Sequence, residues 1–311
     1  MSGRVIVVAG PTATSKTRLG IELAKRIGGE IVSADSMQVY RGMDIGTAKA
    51  TPAERAEAVH HMLDVAEPWE DYSVSRYVQE ASAVCDRLLA AGKTPILVGG
   101  TGLYIDSLLA GRDFSGRQEG DEALRRALCE DYDRLGGEAM RERLRAIDPE
   151  RTEKLHPGDK RRIVRAIEVY TLTGKTISRH DAETRARPPR YDSLRFVLNY
   201  ADRANLYARI DARVDAMLRE GLFEEVEGLL AAGLSPDCTA MQAIGYKETA
   251  RALSGAISRE EAAAQIKQNS RRYAKRQLTW FGRDALAHRI CWKKTPDPAA
   301  ALAEIQALLS T

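Results

Sequence analysis

Eight residues near the start of the chain, Gly10-Pro11-Thr12-Ala13-Thr14-Ser15-Lys16-Thr17, have the types and spacing to hold phosphate. They follow a β-branched run and precede a helical pattern, the setting required for GxxxxGK[ST]. Backbone N–H groups at a helix N-terminus cradle phosphate oxygens. Lys16 neutralises the distal phosphate and the Thr17 hydroxyl is suited to Mg²⁺. Ser15 stands where the second glycine is usual. It still offers an N–H, but a positive φ there costs roughly 1 kcal/mol without glycine. A strand–turn–helix corner with a surface lysine accounts poorly for lysine and threonine together, so a diphosphate or triphosphate ligand is expected.

A second candidate segment, Asp35 to Lys49, begins at the end of the next short strand pattern. The carboxyl ends of parallel strands are where open α/β sheets bind ligands. Asp35 is placed to act as a base above the phosphate loop, and Ser36 and Gln38 can donate and accept as reading a base edge requires. Position alone leaves a helix cap or loop aspartate equally open for Asp35. The pair His60-His61 resembles a metal site, but adjacent residues on a strand face opposite sides, so the pair is read as structural.

The elements that must position these residues alternate at first. Val5 to Ala9 is a strand, Lys16 to Ile27 a helix, and Ile31 to Ala34 a second strand. Val74 to Ala91 is helical, stopped by Gly92, and Pro95 to Val98 is a buried strand ended by Gly99-Gly100. Continuous apolar strands between helices indicate a parallel sheet wrapped by helices. From Gly111 to Pro189 the strand signal vanishes, and Glu122 to Tyr132, Glu138 to Ile147 and Lys160 to Thr173 read as arginine-rich helices. A strand returns at Leu194 to Leu198, after which helical patterns, including Leu206 to Glu220 and Arg259 to Phe281, run to the end. The expected architecture is an α/β core of the P-loop type, residues 1–111 and 190–311, with a helical insertion at 112–189.

Length and composition agree with two such parts. The 311 residues are 44% hydrophobic and 29% charged, which excludes disorder and collagen as the main description. Cysteines at 85, 129, 238 and 291 form no CxxC pair, so neither a zinc site nor a disulfide scaffold is expected. Val5 to Ala9 is too short for a membrane span or a signal-peptide core. A cytoplasmic protein with reduced thiols is expected, and nothing suggests an obligate dimer. With 47 Lys+Arg against 44 Asp+Glu, the net charge of +3 permits a polyanionic partner without demanding one.

The motifs taken together resemble the bacterial tRNA dimethylallyltransferases, or tRNA isopentenyltransferases, over essentially the whole chain. The resemblance rests on Gly10 to Thr17, Asp35 to Lys49, His60 to Val65, Tyr72-Ser73-Val74, Pro95 to Tyr104, Asp159 to Tyr170, Gly245-Tyr246 and Lys275 to Phe281. It implies transfer of a dimethylallyl group from dimethylallyl diphosphate to N6 of adenosine 37, beside the tRNA anticodon, with Mg²⁺ and without ATP consumption. It makes Asp35 the general base and matches Thr101 to the family's threonine near the reacting amine, although Thr101 also suits a helix N-cap. Arg209 resembles the arginine that helps grip pyrophosphate; a solvated helix-face arginine is the plain alternative. For tRNA contact it implies Asp35, Ser36, Met37, Gln38 and Thr101; Arg161, Arg162 and Arg165; Gln242, Gly245, Tyr246 and Lys247; and Lys275, Arg276 and Gln277. Arg161 replaces a customary glutamine and Gly282 a frequent arginine. From Ala262 to Arg283 there are six Lys/Arg and no acidic residue, with Tyr273, Trp280 and Phe281 interleaved, a mixture suited to phosphate contact and base stacking. Either Trp280 or Phe281 is expected to be core.

Two other readings share parts of this pattern. A small-molecule P-loop kinase shares the loop and the aspartate but has no use for the basic helical surface. A non-catalytic RNA-binding protein with a degenerate loop is suggested only by Ser15.

Overall fold

The computed structural model describes residues 4–112 and 121–309; the remaining positions of the expected parts, 1–3, 113–120 and 310–311, lie outside the described residues. The chain divides into two compact units, one of Met1–Leu109 with Tyr191–Thr311 and the other of Ala110–Arg190.

The larger unit begins β1 (Val5–Ala9), α1 (Lys16–Ile27), β2 (Glu30–Ser33), α2 (Pro52–Glu57), β3 (His60–His61), α3 (Val74–Ala90), β4 (Pro95–Gly99) and α4 (Gly102–Leu109). The smaller unit holds α5 (Glu122–Leu135), α6 (Gly137–Ile147), α7 (Pro149–Glu153), α8 (Lys160–Thr173) and α9 (Ile177–Ala186). The larger unit resumes with β5 (Ser193–Tyr200), α10 (Arg203–Arg219), α11 (Leu222–Ala231), α12 (Tyr246–Leu253), α13 (Arg259–Phe281), β6 (His288–Trp292) and α14 (Pro298–Leu309).

Local chemistry accounts for these elements. The strand Val-Ile-Val-Val-Ala of β1 is buried throughout, as a parallel strand covered on both faces requires. Ser73 caps α3 by accepting from the Arg76 N–H, and Ser258 with Glu261 forms a capping box on α13. Gly28 and Gly174 end α1 and α8 in the left-handed region.

The six strands are all parallel, in the order β3-β2-β4-β1-β5-β6. One face packs Ile6, Val8, Ile96, Val98, Phe196 and Leu198 against α1, α10 and α14. β1 lies between β4 and β5, so the turns after β1, β2 and β4 meet at one end of the sheet. The smaller unit has its own core, in which Leu128, Met140, Leu144, Ile163 and Ile167 interlock.

Two strands depart from the sequence reading. β6 interrupts the helical run expected to continue to the end, because His288 to Trp292 alternates exposed and buried residues beside β5. β3 is only two residues long, with Ile31 opposite His60. His61 bonds Glu30 at 2.6 Å while His60 Nδ1 meets the Ala58 carbonyl at 2.8 Å, so the two imidazoles serve different partners. Among the described residues, no helix is long and apolar enough to cross a membrane.

Candidate active site

The phosphate loop is shaped by close approach and by left-handed backbone. A side chain at Gly10 would fall 2.4 Å from the Leu198 carbonyl oxygen of β5, and its φ is +143°, so only glycine fits. Ser15 has φ +62°, the conformation expected of it, and gives α1 no side-chain cap. Ala13 is also left-handed, at φ +64°; with no glycine there, the sequence carries no signal of it. Together they store strain of about 1–2 kcal/mol each, held by surrounding bonds. Thr14 Oγ1 donates to the Pro11 carbonyl at 2.8 Å, and Lys16 Nζ donates to the same carbonyl at 2.7 Å.

This loop forms one wall of a cavity of about 350 Å³. Thr12 to Thr17 line it, with Asp35, Ser36, Met37 and Gln38 opposite; Gly10 and Pro11 lie behind the wall. Desolvation pushes the Lys16 ammonium down to about 7, and the nearby Arg213 charge adds to the effect while Asp35 opposes it. Burial likewise lowers Arg213, against the pull of Asp35.

Arg213, which the sequence does not single out, stands closer to the phosphate loop than Arg209. Both sit on α10, four residues apart, but Arg209 is exposed and off the cavity wall while Arg213 lines it. Of these two α10 arginines, Arg213 is the one on the cavity wall. Helical spacing puts both arginines on one side of α10, and the sequence does not say which end of that side meets the cavity.

Asp35 follows β2, and its Oδ1 accepts the Met37 N–H at 3.0 Å, a turn that holds the carboxylate at the strand end. Thr101 follows β4, where the strand ends crowd together: a Cβ on Gly99 would lie 2.1 Å from the Ala34 oxygen. Thr101 Oγ1 accepts the Ser36 N–H at 3.0 Å. Its hydroxyl thus ties the two strand ends together and also bonds the cavity-lining Tyr273, although Thr101 itself does not line the cavity.

Gln38 is more constrained than its type suggests. Its Nε2 donates to the carbonyls of Thr47 at 3.2 Å and Ala48 at 3.3 Å, and its Oε1 accepts from Ser33 Oγ at 3.1 Å. The amide nitrogen is thus held by two carbonyls, and one Oε1 lone pair is left. Of the donating and accepting expected of Gln38, the donor end is engaged by the loop while Oε1 keeps accepting capacity.

Two expected RNA contacts have other employment. Gln277 is buried, accepts the Thr12 N–H at 3.0 Å and donates to the Gly100 carbonyl at 2.9 Å, so it braces the phosphate loop. Tyr246 is fully buried, with its ring over Gly46 and its hydroxyl donating to Glu225. Gly245 is buried with φ +100°, while Lys247 is exposed. Gln242 and Arg276 line the cavity, and Lys275 is exposed beside them on α13.

Tyr273 also lines the cavity, although its sequence context marks it only as one of several interleaved aromatics. Burial pushes its hydroxyl up to about 12, while hydrogen bonding with Thr101 and Gln277 pulls the other way. Phe281 is core at 5% exposure; Trp280 is 41% exposed, with Nε1 donating to Asp106 at 2.8 Å. In the smaller unit Arg161 and Arg162 are exposed at the start of α8. Arg165 instead pairs at 2.7 Å with Glu168, which is wholly buried and also holds Arg125.

Among the described residues, no cluster of three or more His, Cys, Asp or Glu side chains is placed to hold a metal. Mg²⁺ bound through one protein hydroxyl and substrate phosphates needs no such cage. Thr17, on the wall of the phosphate cradle, fits that donor set.

A phosphate loop at the carboxyl end of a parallel sheet, sharing its cavity with the carboxylate of Asp35, defines a P-loop-type group-transfer site. The particular family is shown by comparison: the chain belongs to the IPP transferase family, whose model matches residues 38–284, and an isopentenyl transferase model matches residues 3–66. It is 50% identical over 281 residues to the tRNA dimethylallyltransferase of Geobacillus thermodenitrificans, covering 90% of this chain and 88% of that one. Among solved structures it is similar to the tRNA isopentenylpyrophosphate transferase of Bacillus halodurans, with TM-score 0.73 and 38% identity over 99% of this chain and 95% of that one. A eukaryotic dimethylallyltransferase acting on tRNA gives TM-score 0.83 at 29% identity, over 99% and 80%.

Proposed function

We propose that this chain is a tRNA dimethylallyltransferase that moves a dimethylallyl group from dimethylallyl diphosphate to N6 of adenosine 37 in the anticodon loop. The observation that carries this reading is the convergence, on one cavity, of the phosphate loop and Asp35, in a chain of this family. The adenine amine is a weak nucleophile because its lone pair is delocalised into the ring. As N6 bonds to the allylic carbon, the carbon–oxygen bond to the diphosphate breaks and the amine loses a proton, which Asp35 accepts. Lys16, Arg213 and the N–H groups of the loop hold the leaving diphosphate. Mg²⁺, held through Thr17, supplies further charge neutralisation when bound.

A base in its stack is out of reach of such a cavity, so adenosine 37 is flipped into it, past Gln38 and Arg276. Lys275, Lys247, Arg161 and Arg162 supply exposed positive charge for the RNA backbone. None of the four cysteines is in a disulfide, which suits the cytoplasm, where we place the reaction of a monomer.

The test is incubation with Mg²⁺, labelled dimethylallyl diphosphate and an anticodon stem-loop, in the absence of nucleoside triphosphate. Label on the target adenosine is the expected result. No transfer, or transfer that demands ATP hydrolysis, overturns the reading, and the second outcome favours a kinase.

A further inference from the structure

Glu225, on α11, lies outside the cavity yet is tied to one of its walls. Its Oε2 accepts the N–H groups of Asp44 at 2.9 Å and Ile45 at 2.8 Å, and its Oε1 accepts that of Gly46 at 3.2 Å and the Tyr246 hydroxyl. One carboxylate thus gathers three successive backbone donors and a phenol. The Tyr246 ring closes the arrangement from above: a Cβ at Gly46 would lie 2.4 Å from its Cε2, so the loop can sit at that height only with glycine there.

The next two residues of the chain support Gln38. The carbonyls of Thr47 and Ala48, immediately after the gathered N–H groups, both accept from the Gln38 amide nitrogen. A flipped amide would set its oxygen against two carbonyl oxygens, so the loop fixes the nitrogen as the end of the Gln38 amide that meets it. Oε1 is left as the acceptor of this cavity-lining residue, bonded to Ser33 Oγ with one lone pair free.

We propose that Glu225, assisted by Tyr246, is a positioning residue that makes Gln38 an obligate acceptor and so selects a purine with an exocyclic 6-amino group. A 6-amino group donates to that lone pair; the 6-oxo group of inosine or guanosine meets it as a second acceptor and is rejected. The inference rests on the proposed function, which brings the base to Gln38.

The experiment compares binding of stem-loops carrying adenosine or inosine at the target position to wild-type protein, Glu225→Gln and Tyr246→Phe. Backbone amide exchange at Asp44, Ile45 and Gly46, and exchange of the Gln38 side-chain amide, are followed in the free proteins. Pyrophosphate affinity, which depends on a separate wall, checks that each variant is folded. Wild type is expected to prefer adenosine by about 5- to 150-fold, the range of one good base-edge contact. In Glu225→Gln the preference collapses towards unity while exchange at all four positions accelerates. Tyr246→Phe, which removes only a hydroxyl, shifts both readouts the same way by less. Unchanged exchange in Glu225→Gln overturns the clamp, and accelerated exchange with an intact preference overturns its part in selection. A wild-type protein that does not distinguish the two bases overturns base reading by Gln38, whereas failure of prenyl transfer alone strikes the proposed function and leaves the exchange result to decide the clamp.

Discussion

The side-chain oxygen of Gln277 accepts the backbone N–H of Thr12 across 265 positions of sequence. The same amide reaches the Gly100 carbonyl, so one buried side chain on α13 links the turns after β1 and β4. Gln277→Leu is therefore expected to strand a donor and an acceptor, at about 1–3 kcal/mol each. Pyrophosphate affinity and melting temperature fall together, and the salt dependence of RNA binding stays as it was. A flattened salt slope with normal pyrophosphate binding would return Gln277 to the RNA surface.

Arg213 and Arg209 offer a matched pair. Arg213→Gln removes a cation that lines the phosphate site and is expected to weaken diphosphate binding at least tenfold, about 1.4 kcal/mol. Arg209→Gln, on the exposed side, should do far less. Calorimetry with pyrophosphate ranks the two, and equal losses would show that both arginines reach the ligand.

Lys16 makes diphosphate binding depend on pH. In the free protein its ammonium is lowered to about 7, and a bound diphosphate favours the charged form, so binding above neutrality draws in a proton. Affinity is expected to fall as pH rises from 7 to 9, by up to tenfold per unit, with proton uptake visible as a buffer-dependent heat. The sign for folding is opposite: between pH 7 and the unfolded value of 10.5 the unfolded chain holds the extra proton, so the ligand-free protein gains stability as pH rises. A flat affinity profile would mean that Lys16 is fully charged before the ligand arrives.

Asp35→Asn keeps the hydrogen bond to Met37 and removes the base. Single-turnover transfer at saturating RNA should drop by about 10²–10⁴, with RNA affinity little altered. Near-normal transfer would take Asp35 out of the proton path.

Arg162 and Arg165 should part company in the smaller unit. Arg162→Gln loses an exposed charge and lowers the log–log salt slope of RNA binding by roughly 0.7, one single-strand phosphate contact. Arg165→Gln strips a partner from buried Glu168, so its main effect is a lower melting temperature. A slope change in Arg165→Gln without loss of stability would count it as an RNA contact after all.

Much of this molecule can be read from residue order, and the parts that cannot share a cause. β1, α1, α8 and α13 are legible at both ends because apolar runs, glycine stops and capping residues are local signals. β6 is not, since half-buried His288 and exposed Arg289 and Cys291 give it no apolar run, and it forms by lying beside β5. The phosphate loop is legible as chemistry, but the left-handed turn at Ala13 is not, because alanine does not announce one. Gln277 and Tyr246 read as RNA contacts because they stand in segments that otherwise suit that role. Whether a polar tip meets solvent or another strand's carbonyl is settled by packing between distant elements, which no local pattern encodes.

Strand order also sets a timetable for synthesis. β1 is flanked by β4 and β5, and β5 leaves the ribosome only after the whole helical unit has been made. Until then one edge of the strand that carries the phosphate loop has no neighbour, an invitation to stray pairing. Gln277 arrives later still: at about 5–20 residues per second, the 265 residues separating it from Thr12 take roughly 13–50 s to translate. A nascent chain cut short before α13 would carry every residue of the phosphate motif and lack the brace that sets it, so the loop is set only once α13 has been made.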